Sequence, residues 1–163
     1  MSQKTVSTFA QALQAILEES GVHGITVGEV TPRDSSTTPS DTFEVSVSVG
    51  IAGARKGYMF LQTDFPTALA LAQELSRALG VALDDPDNFG SMHRAALAEL
   101  ANQVSGRATM YLSEIGVEAS ITPPSVLTGT GVTLAVADGL QFYDCAVTGP
   151  MGAFDLVVGL QES

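Results

Sequence analysis

One cysteine, no tryptophan, two histidines and only seven lysines and arginines occur in these 163 residues. A lone Cys145 forms neither an internal disulfide nor a cysteine-based zinc site, and a reducing compartment, the cytoplasm, is the expected location. His23 and His93 lie far apart, with no second ligand at metal spacing beside either, so both are expected to be surface or hydrogen-bonded histidines. No apolar run reaches the length of a membrane span. The leading segment MSQKTVSTFAQALQAILEESG mixes apolar with acidic side chains and lacks the pattern of a secretory or transit peptide. Eighteen Asp and Glu oppose the seven cations, a formal net charge of −11. That balance argues against nucleic acid and anionic membranes as partners. It is compatible with a partner that has a basic surface, and equally with plain solubility.

What is present is apolar. With 45% hydrophobic and 15% charged residues, the chain has the makings of a real core, and its length suits a single domain over 1–163. Val6, Phe9, Leu13, Ile16 and Leu17 recur at the three-and-four spacing of a one-faced helix over 6–20, with Gly21 as its stop. GITVGEVT at 24–31 reads as a strand, and PRDSSTTPSD at 32–41 as a flexible loop. In FEVSVSV at 43–49, Phe43, Val45, Val47 and Val49 alternate with Glu44, Ser46 and Ser48, which predicts a strand with one wet face. GIAGARKG then turns the chain back into YMFLQT. A second helix is expected over 64–80, introduced by Asp64 and Pro66. The acidic DDPDN at 84–88 suits a helix N-terminus, and a long helix runs from about Phe89 to Ile115, stopped by Gly116. The remainder, EASITPPSVLTG, VTLAVA, LQFYDCAV and AFDLVVGL, is β in character, with a last turn at 149–152.

The order of elements repeats. Leu17, Glu19, Gly21 and Val22 correspond at one constant offset to Leu112, Glu114, Gly116 and Val117, while Phe9 falls on Val104 and Ile16 on Tyr111. In both halves a helix leads into a short strand, a proline-containing break (Pro32; Pro123 and Pro124) and a glycine-turned hairpin. The expectation is an α+β fold of two pseudo-symmetric helix-plus-antiparallel-strand units, with long helices packed on an antiparallel sheet.

The long helix has two faces. Leu97, Leu100, Ala101, Val104, Ala108, Tyr111, Leu112 and Ile115 form one apolar stripe, the core face. Ala95, Glu99, Asn102, Gly106 and Ser113 project opposite it. Asn and Gly are poor helix-interior residues, so helix stability does not explain their presence there. Glu99 and Asn102, three apart, are neighbours, and Ala95, Ala98 and Gly106 leave the surface around them bare. Such a face is either an indifferent solvated surface or one that something approaches closely. The carboxylate can pair with a cation or accept a proton; the carboxamide can hold a water through one donor and one acceptor.

AELANQVSGRA followed by ITPP resembles the signature of the CheX/CheC/FliY chemotaxis phosphatases, a Glu-x-x-Asn on a long helix with a proline about twenty residues on. Here these are Glu99, Asn102, Pro123 and Pro124. The resemblance covers nearly the whole chain and is strongest to CheX. CheC-type members carry the pair in both repeats, whereas here the repeat offset puts Lys4 and Ser7 at the first-repeat positions, leaving one site. It implies a CheC-like fold and a cytoplasmic phosphatase that removes the phosphoryl group from the aspartate of a CheY-like response regulator in chemotaxis or two-component signalling. Asn102 would orient the attacking water and Glu99 would pair with the receiver's lysine, while Ala95, Ala98 and Gly106 let the receiver approach. Mg²⁺ would belong to the receiver, with no cofactor or metal bound by this chain, and family members resembling CheX are homodimers joined through sheet edges. One departure stands out: the family commonly has Asp or Ser four residues before the Glu, where this chain has Ala95. A non-catalytic CheC-like module that docks on a receiver or signalling protein is therefore the alternative.

Other candidates are weaker. GIAGARKG lacks the Gly-Lys-Ser/Thr ending of a phosphate loop and is followed by a strand, so a hairpin turn is expected, with Arg55 and Lys56 as solvated charges. DDPDN lacks the glycine and closing glutamate of a calcium loop. Cys145 lies in an alternating strand with no histidine nearby in sequence, which marks it as a small core residue. His93 and Arg94 border the docking face without being catalytic candidates.

Overall fold

In the computed structural model, residues 2–33, 43–80, 82, 83, 85, 87–132 and 139–161 are described. Most of the expected 32–41 loop, Asp84 and Pro86 of the acidic turn, and the strand expected at 132–137 from 133 on lie outside them.

Two helices end in the same way. α1 (Ser2–Glu19) closes on Gly21 and α3 (Ser91–Glu114) on Gly116, with φ of 80° and 81°. Val22 N–H donates to the Leu17 carbonyl and Val117 N–H to the Leu112 carbonyl, each at 2.9 Å. Only a left-handed residue lets the chain reverse so sharply onto the last turn, which is why glycine stands at both positions. Between these helices lies α2 (Phe65–Ala78), begun by Asp64, whose side chain accepts from Thr67 N–H at 2.8 Å, and by Pro66 in the first turn.

The strands are β1 (Thr26–Val27), β2 (Thr31–Pro32), β3 (Phe43–Gly53), β4 (Gly57–Thr63), β5 (Ala119–Ile121), β6 (Ser125–Val132), β7 (Leu140–Gly149) and β8 (Gly152–Gln161). All pairings are antiparallel in one eight-stranded sheet. Its order is β1-β7-β8-β4-β3-β5, with β2 also on β7 and β6 also on β3. Exchanging the two units reproduces this order reversed, so each unit closes its sheet with the edge strands of the other. At the centre Leu61 of β4 faces Leu156 of β8. These are equivalent positions of the two repeats, separated by the same offset as Gly21 and Gly116. The expected α+β repeat is thus a pseudo-twofold whose axis passes between the two leucines.

The helices share one face of this sheet. Val6, Phe9, Leu13 and Leu17 of α1 and Leu97, Leu100, Val104, Ala108 and Leu112 of α3 pack with Val45, Val47, Val49, Met59, Leu61, Leu156, Val158 and Leu160 in a single core. Burying both stripes against the sheet turns the poorly polar composition into stability. A hairpin closes β3 on β4, as expected, and its second strand begins on Gly57 because nothing larger fits. A Cβ there would lie 1.9 Å from the Gly159 carbonyl oxygen of β8.

Several expectations change in detail. The strand at 24–31 is two short pieces on β7, interrupted where Gly28 meets the Ala146 backbone and Val30 turns inward to the core. The face of β3 opposite the helices is not wet throughout: Ser46, opposed by Gln62 and Leu127 on either flank, is 1% exposed. Ile115, expected in the core stripe, is half exposed because the helix has ended by then. The acidic turn does not cap α3. Asp85 accepts instead from Asp87 N–H and from Asn88 Nδ2, and these bonds, that to Asn88 first, hold its carboxyl below the usual range. His93 performs the capping, its Nδ1 accepting from Gly90 N–H at 3.2 Å. His93 is buried, its Nε2 has no hydrogen-bond partner among the described residues, and Phe89 packs on its ring.

Candidate active site on the long helix

α3 lies across the sheet with its outward side toward the corner between β5 and β6. That corner is made by Pro123 and Pro124, which have no N–H to continue a strand ladder. Thr122 fixes it to β3: its N–H donates to the Gly50 carbonyl at 3.0 Å, and its Oγ1 accepts from Gly50 N–H at 2.8 Å. From the other side, Arg94 near the start of α3 reaches β6, donating to Thr128 Oγ1 at 2.7 Å and to the Val126 carbonyl at 3.4 Å. Helix and corner are therefore braced at a set distance. The groove between them is lined by Ala95, Ala98, Glu99 and Asn102 on α3 and by Ile121, Thr122, Pro123 and Pro124 opposite.

Four side chains picked out on the helix, together with the two prolines, meet in this groove. Gly106 does not line it. It lies beside the separate groove between α1, α2 and α3, with Ile16, Leu75 and Arg107. Ile121 and Thr122 were not foreseen; the residues flanking a proline pair at a strand break were the available signal.

Glu99 and Asn102 are both exposed. Glu99 Oε1 accepts from Gln103 Nε2 at 3.0 Å, and no cation of the chain pairs with the carboxylate among the described residues. The Asn102 carboxamide makes no hydrogen bond within the chain among the described residues; the bond from Ser105 Oγ goes to the backbone carbonyl of Asn102. Both groups are thus available to something from outside. Among the described residues, Glu99 is the one charged side chain lining the groove. Nearby arginines are committed elsewhere, Arg94 to β6 and Phe89, and Arg107 to Glu19 through two bonds of 2.7 and 2.9 Å. That pairing holds the Glu19 carboxyl below its usual range and raises the Arg107 guanidinium. Asn102 can hold a water through its amide, and Glu99 beside it can receive a cation.

The first repeat has a counterpart groove on α1, lined among others by Gln3, Ser7, Val27, Gly28 and Glu29. These occupy the repeat positions of Ala98, Asn102, Thr122, Pro123 and Pro124. No carboxamide stands at Ser7, whose hydroxyl donates back to the Gln3 carbonyl, and Gln3 itself donates across to the Val30 carbonyl at 2.8 Å. Lys4 stands where a glutamate would be needed. The Glu-x-x-Asn pair is present on α3 alone.

A Cβ added at Gly106 would meet nothing within 4 Å. Gly106→Ala is expected to raise stability by about 0.5–1 kcal/mol through lower backbone entropy in the unfolded chain and higher helix propensity, read from denaturant unfolding.

Residues 45–148 match the family model described as chemotaxis phosphatase CheX. The chain belongs to the CheX family. Its fold matches solved members and relatives across almost their whole length. The crystal structure of a chemotaxis protein CheX from Desulfovibrio desulfuricans is 22% identical, with a TM-score of 0.81 over 97% of this chain and 99% of that one. A CheC-like superfamily protein from Shewanella sp. PV-4 is 21% identical, with a TM-score of 0.81 over 99% and 100%. A CheX–CheY–BeF3–Mg²⁺ complex from Borrelia burgdorferi matches at 24% identity and a TM-score of 0.75, over 96% of this chain and 97% of that one. Among curated proteins no sequence match is found. The CheC-like fold expected from the sequence is the fold observed, and no helix among the described residues is long and apolar enough to cross a membrane.

Proposed function

We propose that this CheX-family protein is an aspartyl-phosphate phosphatase acting on a CheY-like response regulator in chemotaxis or a related two-component circuit. One observation carries the proposal: Glu99, with Oε2 unengaged, and Asn102, with its whole carboxamide unengaged among the described residues, line one groove opposite Thr122, Pro123 and Pro124. In this reading Asn102 holds the attacking water in line with the phosphoryl group. Glu99 pairs with the receiver's lysine and so fixes the register of docking. Ala95 and Ala98 keep the helix surface low enough to enter the receiver's cleft; Gly106 stands farther off, beside the neighbouring groove. In this reading Mg²⁺ belongs to the receiver and this chain needs no metal of its own, which agrees with the presence of Mg²⁺ together with CheY in the Borrelia complex. Phosphoryl transfer is largely positioning and electrostatics, which suits a site of one amide and one carboxylate. A groove without cations also avoids repelling the Mg²⁺ and lysine that the receiver brings. The protein would work in the cytoplasm, where receiver domains are phosphorylated, and as a homodimer joined through a sheet edge, β1/β2 and β5/β6 being the outermost strands of the sheet among the described residues.

Ala95 favours a second reading. It lines the groove at the position where family members commonly have Asp or Ser, and it contributes no polar atom. A binding module that docks without hydrolysis would have such a face. Decay of phosphate on the CheY-like regulator of the same organism, with Mg²⁺, separates the two. Faster decay with the protein present establishes the phosphatase. Binding with unchanged decay establishes the docking module, and Ala95→Asp is then the variant to assay.

A further inference from the structure

Glu99 stands on a ridge. On one side is the groove it shares with Asn102; on the other is the groove between α1, α2 and α3, lined by Ile16, Leu75, Leu100 and Gln103 among others. An exposed glutamate has several rotatable bonds, and its carboxylate is free to lie over either groove unless something holds it. Gln103 supplies that hold. It follows one turn later on the side of α3 away from Asn102, and its Nε2 donates to Glu99 Oε1 at 3.0 Å. Glu99 Oε2 has no partner within the chain among the described residues.

The chemistry of this contact suits orientation. A carboxamide donor is neutral, so it restrains the carboxylate without cancelling its charge; a lysine or arginine at the same place would occupy the group that a partner needs. Arg107, the cation next along this side, is drawn away by its two bonds to Glu19.

We infer that Gln103 is a positioning residue for docking: it ties down Oε1 of Glu99 so that Oε2 is presented to the partner's ammonium group. The inference rests on the reading that Glu99 pairs with a receiver lysine. Its contribution is the rotamer entropy that Glu99 no longer loses on binding. Gln103 lines the neighbouring groove and not the one that holds Asn102, so the chemical step is expected to be unchanged.

The test is a double-mutant cycle on binding, with a CheY-like receiver domain loaded with Mg²⁺ and beryllofluoride as the probe. Wild type, Gln103→Ala, Glu99→Ala and the double variant are compared by calorimetry, with kcat and KM measured on the phosphorylated receiver. Gln103 is exposed, so its variant retains the fold. Gln103→Ala is expected to weaken binding about two- to tenfold, to raise KM by the same factor and to leave kcat alone. In the Glu99→Ala background it is expected to change nothing. Unaltered binding by Gln103→Ala overturns the inference, as does an equal loss in both backgrounds, which would mean that Gln103 acts independently of Glu99. Unaltered binding by Glu99→Ala overturns the underlying reading of Glu99, and the role of Gln103 with it.

Discussion

Asn102→Ala is expected to abolish acceleration of receiver dephosphorylation while leaving receiver binding within about twofold of wild type. The carboxamide is exposed and makes no bond within the chain among the described residues, so its loss removes no structural contact. Surface changes of this kind shift stability by within about 0.5 kcal/mol, and α3 gains slightly because alanine is the better helix former. What disappears is the group that restrains the water. A nucleophile displaced from the in-line position costs about 10²-fold or more in rate. Asn102→Asp separates orientation from hydrogen bonding in general. It keeps the size and an acceptor oxygen but removes the amide donor and sets a second negative charge beside Glu99. Its activity is also expected to fall to the receiver's own rate of decay. Measured as single-turnover loss of phosphate on the receiver at saturating protein, a kcat close to wild type for Asn102→Ala would remove Asn102 from the mechanism.

The part of the molecule that repeats was legible in the sequence, because repetition leaves marks that need no tertiary knowledge. Leu17, Gly21 and Val22 and their counterparts Leu112, Gly116 and Val117 form the same helix stop, with the same hydrogen bonds. Val6, Phe9, Leu13, Ile16 and Leu17 are all buried, as their spacing requires. The pairing of the units was not legible: nothing local says that β3 closes on β5 and β6 of the other unit, or that Leu61 meets Leu156 on the axis. Register of that kind is set by long-range packing. The burial of Ser46 was missed for a related reason, since alternation reports which way a side chain points and not what flanks it. At the candidate site, Asn102 drew notice as a poor helix residue on an exposed face, but spacing alone left that face open to an indifferent solvated reading, and it was the resemblance to the Glu-x-x-Asn signature that singled out Glu99 and Asn102. Gln103 did not, although a glutamine four residues after a glutamate is a pair that helix geometry brings together. Thr122 was hidden because its role comes from Gly50, 72 positions away. His93 was read as a satisfied or surface residue; its capping bond to Gly90 is local, but its burial under Phe89 depends on how the turn before α3 folds.

Glu99→Lys is expected to eliminate receiver binding, and Glu99→Gln to weaken it about tenfold or more, the worth of one charge-assisted hydrogen bond. Among the described residues, the others lining the groove are Ala95, Ala98, Asn102, Ile121, Thr122, Pro123 and Pro124, all uncharged. Local attraction for a cation at this site therefore comes from one carboxylate. The remaining negative charge of the chain acts at longer range, where salt screens it within about 10 Å at 0.1 M. Two signatures follow. Raising the ionic strength weakens the wild-type complex, and Glu99→Gln loses part of that dependence along with its affinity. Glu99→Lys goes further than removal, because it sets a positive charge against the receiver's lysine and Mg²⁺. None of these changes disturbs the fold: Glu99 is exposed, and the bond it would lose is the one to Gln103. The decisive pairing is with the receiver. A receiver whose lysine is changed to glutamate should bind wild type poorly and Glu99→Lys better, since the charge exchange restores the attraction in the reverse sense. Failure of that exchange, with both single changes weakening binding, would place the receiver's lysine against some other group. Glu99 would then contribute through its general field rather than through an ion pair that sets the register for Asn102.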